Sequence, residues 1–519
     1  MKRFIKGLKS DLNSYADTSH ASVNTAPTQS FLLQYRKHRG VNLGSWFVLE
    51  RWITESPYRE AEAPAQSDLD VAKGRNAKGI LEKHWDSWIG VHDWNRLVSL
   101  GINSVRIPIG YYHACGADRT ILDGTDFFPF YHVYEGAWRR ITNAILDAHR
   151  RNITVLIDLH AAPGKQNNDA HSGTSDRANF FNDPHNQRRG TYALESIARS
   201  LTTFINSFDP PLDNVIGLQL LNEPHPPNDT ILKSWYTTTI NSLQSIAPSI
   251  PIYLGECWRP DVYTDYVTQE LRTPNPNALV VLDHHLYRCF TPDDIRASVQ
   301  DHVRALKDPS GIAQTFERIA ERLGRSGGGV IVGEWSGGLN PGSLRGVPNE
   351  RRDFVHAQLE LYERTCGGWY FWTYKKEYPG DLGWSFTEMV EKGIFPSIVG
   401  LVRKRSPSDV DSQREGERRQ AALDQARNAA YDAHREYWGR QPGNYDHQLF
   451  ATGFEEGWKT NYRFFETLHP QGGQVSEAGY RHALAFRATS NHGQSYWEFE
   501  HGFLQACSAS RTDFQKTFC

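Results

Sequence analysis

VIGLQLLNEP, residues 215–224, runs largely apolar from Val215 to Leu221 and then stops on Asn222, Glu223 and Pro224. A short apolar run bounded by polar turn residues reads as a buried strand. A strand end holds a side chain rigidly, so Glu223 is either a solvated terminus or a working acid. Seven other segments share the pattern: 41–49, 104–110, 154–160, 250–256, 279–285, 329–335 and 368–374. Helical stretches lie between them, as in WRRITNAILDAHRR (138–151), where Ile141, Ile145 and Ala148 share a face. Apolar strands alternating with helices predict an α/β fold with a parallel sheet covered by helices. Eight such units fit a (β/α)8 TIM barrel. An open doubly wound sheet fits less well, because no Gly-rich phosphate turn follows the first strand.

The chain has 519 residues, enough for one large domain and a smaller one. Residues 1–34 read as a polar, partly helical segment, 35–403 as the barrel and 404–420 as a charged linker. Residues 421–519 read as a small, mostly helical C-terminal extension, opening on an Ala-rich run of good helix formers. This extension carries a weak repeat: LFATGFEEGW (449–458) aligns with EFEHGFLQAC (498–507), matching Phe450, Gly453 and Phe454 to Phe499, Gly502 and Phe503. Two copies are too few for a solenoid and predict two similar helical pieces packing on the barrel.

A net charge of −3 gives no reason to expect nucleic acid or an anionic membrane as partner. Aromatic residues make up 12%, which suits a large core or a sugar site with stacking platforms. The six cysteines show no CxxC spacing, so no zinc ribbon or redox motif is expected. The N-terminal stretch MKRFIKGLKSDLNSYADTSH is basic without an apolar core, and no run is long enough to span a membrane. A cytoplasmic protein with reduced thiols is the expectation. Phe4, Ile5, Leu8 and Leu12 fit one face of a short docking helix, or alternatively of a weak peripheral membrane anchor.

In a barrel of this kind the working groups sit at the C-terminal ends of the strands. The first segment ends in Glu50 and the second contains Arg106; the others end in Asp158 and His160; Asn222 and Glu223; then, from the sixth, Asp283, His284, His285 and Tyr287; Glu334; and Trp372 and Tyr374. So many polar groups on one face are costly unless paired. Glu223 and Glu334 stand out, because two facing carboxyls are what glycoside hydrolysis needs. Arg106 and Tyr287 are placed to hold one of them ionised. Asn222 is placed to meet a sugar hydroxyl, and His285 to polarise the acid or bind sugar. A zinc site from His160, His285 and a Glu is the metal alternative, but no HxH or HExxH spacing supports it, so no metal or cofactor is expected. No GxSxG occurs to support a serine nucleophile.

The set RGVNLGSWFVLERW, VRIPIGYY, IDLHAAPGKQN, LQLLNEP, DHHLYRCF, VGEWSGG and GGWYFWTYKKE resembles glycoside hydrolase family 5. Within it, the set is most similar to fungal exo-β-1,3-glucanases (glucan 1,3-β-glucosidases), in a longer, non-secreted branch. The resemblance implies a (β/α)8 barrel and a metal-independent, retaining double displacement, with Glu223 as acid/base and Glu334 as nucleophile. It implies Arg106, His160, Asn222, His285 and Tyr287 as the supporting shell. Glu50 would pin the terminal sugar and Trp372 would lie beneath it, which makes the enzyme exo-acting on β-1,3-glucans or their oligosaccharides. Lys165, in DLHAAPGKQNND, departs from the family's usual wording beside the cleft. The alternatives are a retaining β-glucosidase acting on a glycolipid, sterol or flavonoid glucoside, and a non-catalytic β-glucan-binding protein.

Overall fold

Eight parallel strands close into one barrel in the computed structural model, which describes residues 28–273, 275, 278–404, 412–467 and 474–519. They are β1 (His38–Asn42), β2 (Ser104–Gly110), β3 (Thr154–Ala161), β4 (Val215–Gln219), β5 (Ile252–Gly255), β6 (Val280–Leu286), β7 (Gly329–Trp335) and β8 (Gly368–Phe371). Each pairs with its sequence neighbour, and β1 closes on β8 with Gly40 opposite Tyr370. Every strand residue is buried, as expected for strands covered by helices outside and side chains inside. Helices such as Ala137–His149, Pro184–Asn206 and Asp229–Ile246 bury their apolar faces against the strands.

The barrel interior is filled in layers. Near the N-terminal ends of the strands, Leu156, Ile216, Tyr253, Ile331 and Tyr370 belong to one apolar cluster, with Tyr480 closing it from below. The two large tyrosines fit because glycines face them: a Cβ on Gly40 or Gly217 would lie 2.3 Å or 2.2 Å from Tyr370 or Tyr253. Toward the other end the filling turns ionic, with Arg106, Asp158 and Asp283 all buried. Gly333 makes room there, since a Cβ would sit 2.0 Å from Asp283 Oδ1.

The first strand differs from the expected 41–49. It ends at Asn42, and the chain turns through Ser45, whose φ is +57°. The Ser45 hydroxyl accepts from the Glu50 N–H at 3.0 Å. The segment 43–50 is apolar because it caps the barrel: Leu43, Phe47 and Leu49 are fully buried there. Glu50 therefore reaches the cleft from a loop. Of the stretch expected as a linker, residues 412–420 open the helix Ser412–Trp438, while 405–411 lie outside the described residues. Its charges are paired along and between helices, as in Arg418 with Glu415 and Asp513, so charge density there marks a solvated helix face.

The repeat has a packing reason. Its copies lie on the helices His447–Phe465 and Tyr496–Phe518, which cross at their glycines. A Cβ on Gly453 would meet the Phe499 carbonyl oxygen at 2.0 Å, and one on Gly502 the Phe450 oxygen at 2.1 Å. Backbones in contact require glycine, and the flanking phenylalanines fill the space beside them. The pair packs under the barrel through Phe499, Phe503 and Phe464. Among the described residues no helix is long and apolar enough to cross a membrane. Phe4, Ile5, Leu8 and Leu12 lie outside the described residues.

Candidate active site

Arg106 organises the cleft from β2. Its guanidinium is fully buried and donates in four directions: to Glu334 Oε1 and Asn42 Oδ1 at 2.8 Å, to Gln219 Oε1 at 2.8 Å and to Asn222 Oδ1 at 2.7 Å. Asp158 Oδ2 completes the set at 3.0 Å from Nη2. A buried cation surrounded by two carboxylates and three amide oxygens is satisfied rather than stranded. Glu334, at the end of β7, accepts a second donor, the Tyr287 hydroxyl, at 2.8 Å.

Glu223 faces Glu334 across the cleft. It sits past β4 with φ +41°, a left-handed backbone that costs a non-glycine residue about 1–2 kcal/mol. Its neighbours hold it there. Gln166 Nε2 donates to the Asn222 carbonyl at 3.0 Å and Asn167 Nδ2 to the Glu223 carbonyl at 3.0 Å. His285 Nδ1 lies 2.8 Å from Glu223 Oε1 and 3.4 Å from Glu334 Oε2, so one imidazole bridges both carboxyls. One oxygen of each carboxyl and the His285 nitrogen lie within 4.8 Å of one another. His284 points the other way, onto Glu256 and Phe316, as alternation along a strand requires.

Burial raises both carboxyls and His285 lowers both, so the pair titrates as a unit. At Glu334 burial outweighs His285 and Arg106, and the carboxyl is raised to about 7. At Glu223 the His285 hydrogen bond and charge outweigh burial, and the carboxyl is lowered to about 2. While His285 carries two protons, Glu334 is thus the raised member and Glu223 the lowered one, the reverse of the order that Glu223 as acid and Glu334 as nucleophile require. Burial disfavours the imidazolium, but Glu334 and Asp283 raise it overall. The order turns on that proton. With His285 neutral, Glu334 keeps Arg106 and Tyr287 as donors, and Glu223 loses its strongest one.

His160 stacks parallel on Trp372, with ring centres 5.6 Å apart and planes within 7°. Its Nδ1 meets Asp158 Oδ2 at 2.7 Å and its Nε2 meets Asn222 Nδ2 at 3.3 Å. Glu50 accepts from Trp52 Nε1 at 2.6 Å. His171 stands between Glu50 and Glu223, with Nδ1 3.8 Å from Glu50 Oε2 and Nε2 3.9 Å from Glu223 Oε2. Burial works against its charge, but Glu50 raises the imidazole to about 9. The structure therefore brings together all nine singled-out residues: Glu50, Arg106, His160, Asn222, Glu223, His285, Tyr287, Glu334 and Trp372. Tyr374 is not among them, because its hydroxyl turns away to Asp93 Oδ1 at 3.1 Å.

A family model described as "Cellulase (glycosyl hydrolase family 5)" matches residues 80–377, more than half of the chain. The chain belongs to glycoside hydrolase family 5. A second model, the "Glucan 1,3-beta-glucosidase 3 C-terminal domain", matches residues 419–514. The chain is 30% identical to the glucan 1,3-beta-glucosidase 3 of Schizosaccharomyces pombe, covering 91% of this chain and 94% of that protein. It is 29% identical to a probable glucan 1,3-beta-glucosidase A of Aspergillus clavatus, covering 69% of this chain and 87% of that one. Among solved structures, a rutinosidase from Aspergillus niger superposes with a TM-score of 0.55 at 18% identity, covering 70% of this chain and 99% of that one, a likeness of fold. This family 5 protein is a glycoside hydrolase, similar over most of its length to a glucan 1,3-beta-glucosidase.

Sequence reasoning missed several residues of this family 5 site. Asn42 and Gln219 read as ordinary strand positions, and only closure of the barrel aims them at Arg106. Gln166 and Asn167 lie in a motif already noted, but their role as backbone props for Glu223 depends on β3 neighbouring β4. His171 lies in an irregular loop with no periodic signal. Trp52, Trp384 and Phe290 form an aromatic rim beside Tyr287, with Trp52 and Trp384 5.4 Å apart edge to face. Lys165 folds its ammonium back onto the Asp176 carbonyl at 3.0 Å. Within the cleft Glu223, His285 and Glu334 lie within metal-ligand reach of one another, as do Glu50, His160 and His171. The Arg106 charge against Glu334 competes with a cation in the first set.

Proposed function

We propose that the protein is a retaining, exo-acting β-glucosidase that releases terminal glucose from β-1,3-glucans or their oligosaccharides. The observation that carries this is the pair Glu223 and Glu334, bridged by His285 and with one oxygen of each carboxyl within 4.8 Å of the other. Such separation suits a covalent double displacement, since inverting pairs need roughly 6.5–9.5 Å to admit water. Glu334, held by Arg106 and Tyr287, attacks the anomeric carbon as the carboxylate. Glu223 protonates the leaving oxygen, then takes a proton from the water that cleaves the glycosyl-enzyme. His285, touching both, moves the proton balance between them.

Exo action is supported by Glu50, which His171 links to Glu223. A terminal sugar lying on Trp372 would meet Glu50 with its far hydroxyls. A second reading, a β-glucoside with an apolar aglycone, is favoured by the exposed rings of Phe290, Trp258 and Trp52 at the mouth. Hydrolysis of laminari-oligosaccharides followed by NMR of the newly formed anomer tests the first reading. β-Glucose released singly from the non-reducing end is expected. Mixed oligosaccharides or α-glucose would overturn it, and cleavage of sterol or flavonoid glucosides alone would favour the second.

A further inference from the structure

The C-terminal helices carry a cluster of metal-ligating groups that hydrolysis does not use. Glu498 is fully buried on the helix Tyr496–Phe518. Its Oε2 lies 3.0 Å from Nε2 of His434, near the end of the helix Ser412–Trp438. The same oxygen lies 3.2 Å from Nδ1 of His447, the first residue of the helix His447–Phe465. One ligand atom from each of the three lies within 4.8 Å of the others. A tetrahedral cation about 2.0–2.1 Å from its ligands sets them about 3.3 Å apart, a few tenths from two of these separations.

The surroundings suit a cation site. The second oxygen of Glu498 accepts from the Asp446 N–H at 2.6 Å, which fixes the carboxylate's orientation. His434 stacks on Phe450 with ring centres 4.1 Å apart, and His447 stacks on Tyr445 at 5.6 Å. Trp438 and Trp497 complete an aromatic wall. The His447 side chain is 21% exposed, which opens a way in from solvent. Two imidazoles and one carboxylate with a fourth position open to water is a donor set that zinc takes.

We propose that His434, His447 and Glu498 form a divalent transition-metal site, best matched to zinc, that clamps three C-terminal helices together. Its function is structural, because bound metal stabilises the folded state by mass action. The competing account is a hydrogen-bonded His–Glu–His cluster that needs no metal.

The test uses the tag-free full-length protein, stripped with chelator and titrated with Co2+, then Zn2+. About one Co2+ per chain with visible bands of a four-coordinate site is expected, displaced by Zn2+, together with a zinc-dependent rise in Tm. His447→Ala should lose the bands and the Tm rise, because Glu498 keeps its His434 and Asp446 partners while the third ligand is gone. Glu223→Gln, in the cleft, should keep both. If His447→Ala does not fold, His447→Asn, which keeps the size of the side chain but not its imidazole, is read in the same way. Absence of visible bands with Co2+ overturns the site. Bands that survive in His447→Ala but vanish in Glu223→Gln overturn it too, by placing the cation in the cleft.

Discussion

Nη1 of Arg106 lies 2.8 Å from Oε1 of Glu334, and Nη2 of the same guanidinium lies 2.7 Å from Oδ1 of Asn222, the residue before Glu223. One planar fork thus sets the position of both carboxyl-bearing segments. Lysine supplies the charge but not the fork. Arg106→Lys is expected to lower kcat/KM about ten- to hundredfold, the worth of about 1.5–3 kcal/mol in charged hydrogen bonds. Arg106→Met, which leaves Asp158 and Glu334 without their cation, should also cost about 3–5 kcal/mol of stability. Kinetics and urea denaturation read the two effects. A variant changed only in KM would show that Arg106 does not act on the reacting groups.

Glu223→Ala separates acid catalysis from nucleophilic attack. On a β-1,3-linked disaccharide the rate should fall about 10²–10⁴-fold, because the leaving alcohol needs a proton. On a dinitrophenyl β-glucoside the first step needs none, so a burst of phenolate followed by slow turnover is expected. Added azide should speed the second step. Equal losses on both substrates would mean that Glu223 is not the acid.

The pair's titration predicts a lopsided pH profile. Below neutral pH the pair shares one proton, and joint action needs that proton to pass from Glu334 to Glu223 through the His285 contact that both carboxyls make. As pH rises through about 7 that proton is lost and kcat/KM should fall tenfold per unit. Tyr287→Phe removes a donor that lowers Glu334, so the falling limb should move to higher pH. A profile flat from pH 4 to 8 would rule out joint action.

Glu50→Gln tests the exo reading. KM for laminaritriose should rise at least tenfold with a smaller change in kcat, since the lost contact lies away from the reacting bond. The His171 imidazole, raised to about 9 by Glu50, should fall toward its ordinary range in this variant, readable by NMR. Because its folded-state pKa is raised, this charge stabilises the protein below about pH 6.5, the ordinary histidine value, and the contribution is lost as pH rises through about 9. An unchanged His171 titration in Glu50→Gln would sever the link between the two.

Gly453→Leu places a side chain where the Phe499 carbonyl oxygen already lies. Overpacking of this kind costs about 1–3 kcal/mol or more. Thermal denaturation should show the loss, and Gly416→Leu, on an open helix face, serves as the control. Equal Tm values would mean that the helix pair does not pack through its glycines.

Much of this molecule is legible along the chain. The apolar runs at β2 and β7 match their expected bounds residue for residue, because buried parallel strands repeat no other pattern. Glu223 and Glu334 are legible for the same reason, each being a lone acid closing an apolar run. Less legible were the places where apolar residues serve other ends. Leu43–Leu49 looks like a strand but caps the barrel, and 412–420 looks like a linker but begins a helix.

Local sequence therefore determined the eight-strand alternation, the strand-end acids and the glycine–phenylalanine repeat, since each follows from burial and spacing within a few residues. Barrel closure alone decided that Asn42, Gln219 and Asp158 converge on Arg106, that Gln166 and Asn167 hold the backbone of Glu223, and that His171 stands between two acids. These contacts join residues that are tens to hundreds of positions apart. Side-chain identity does not encode such distances, and only the packed sheet brings the groups to within 3–4 Å.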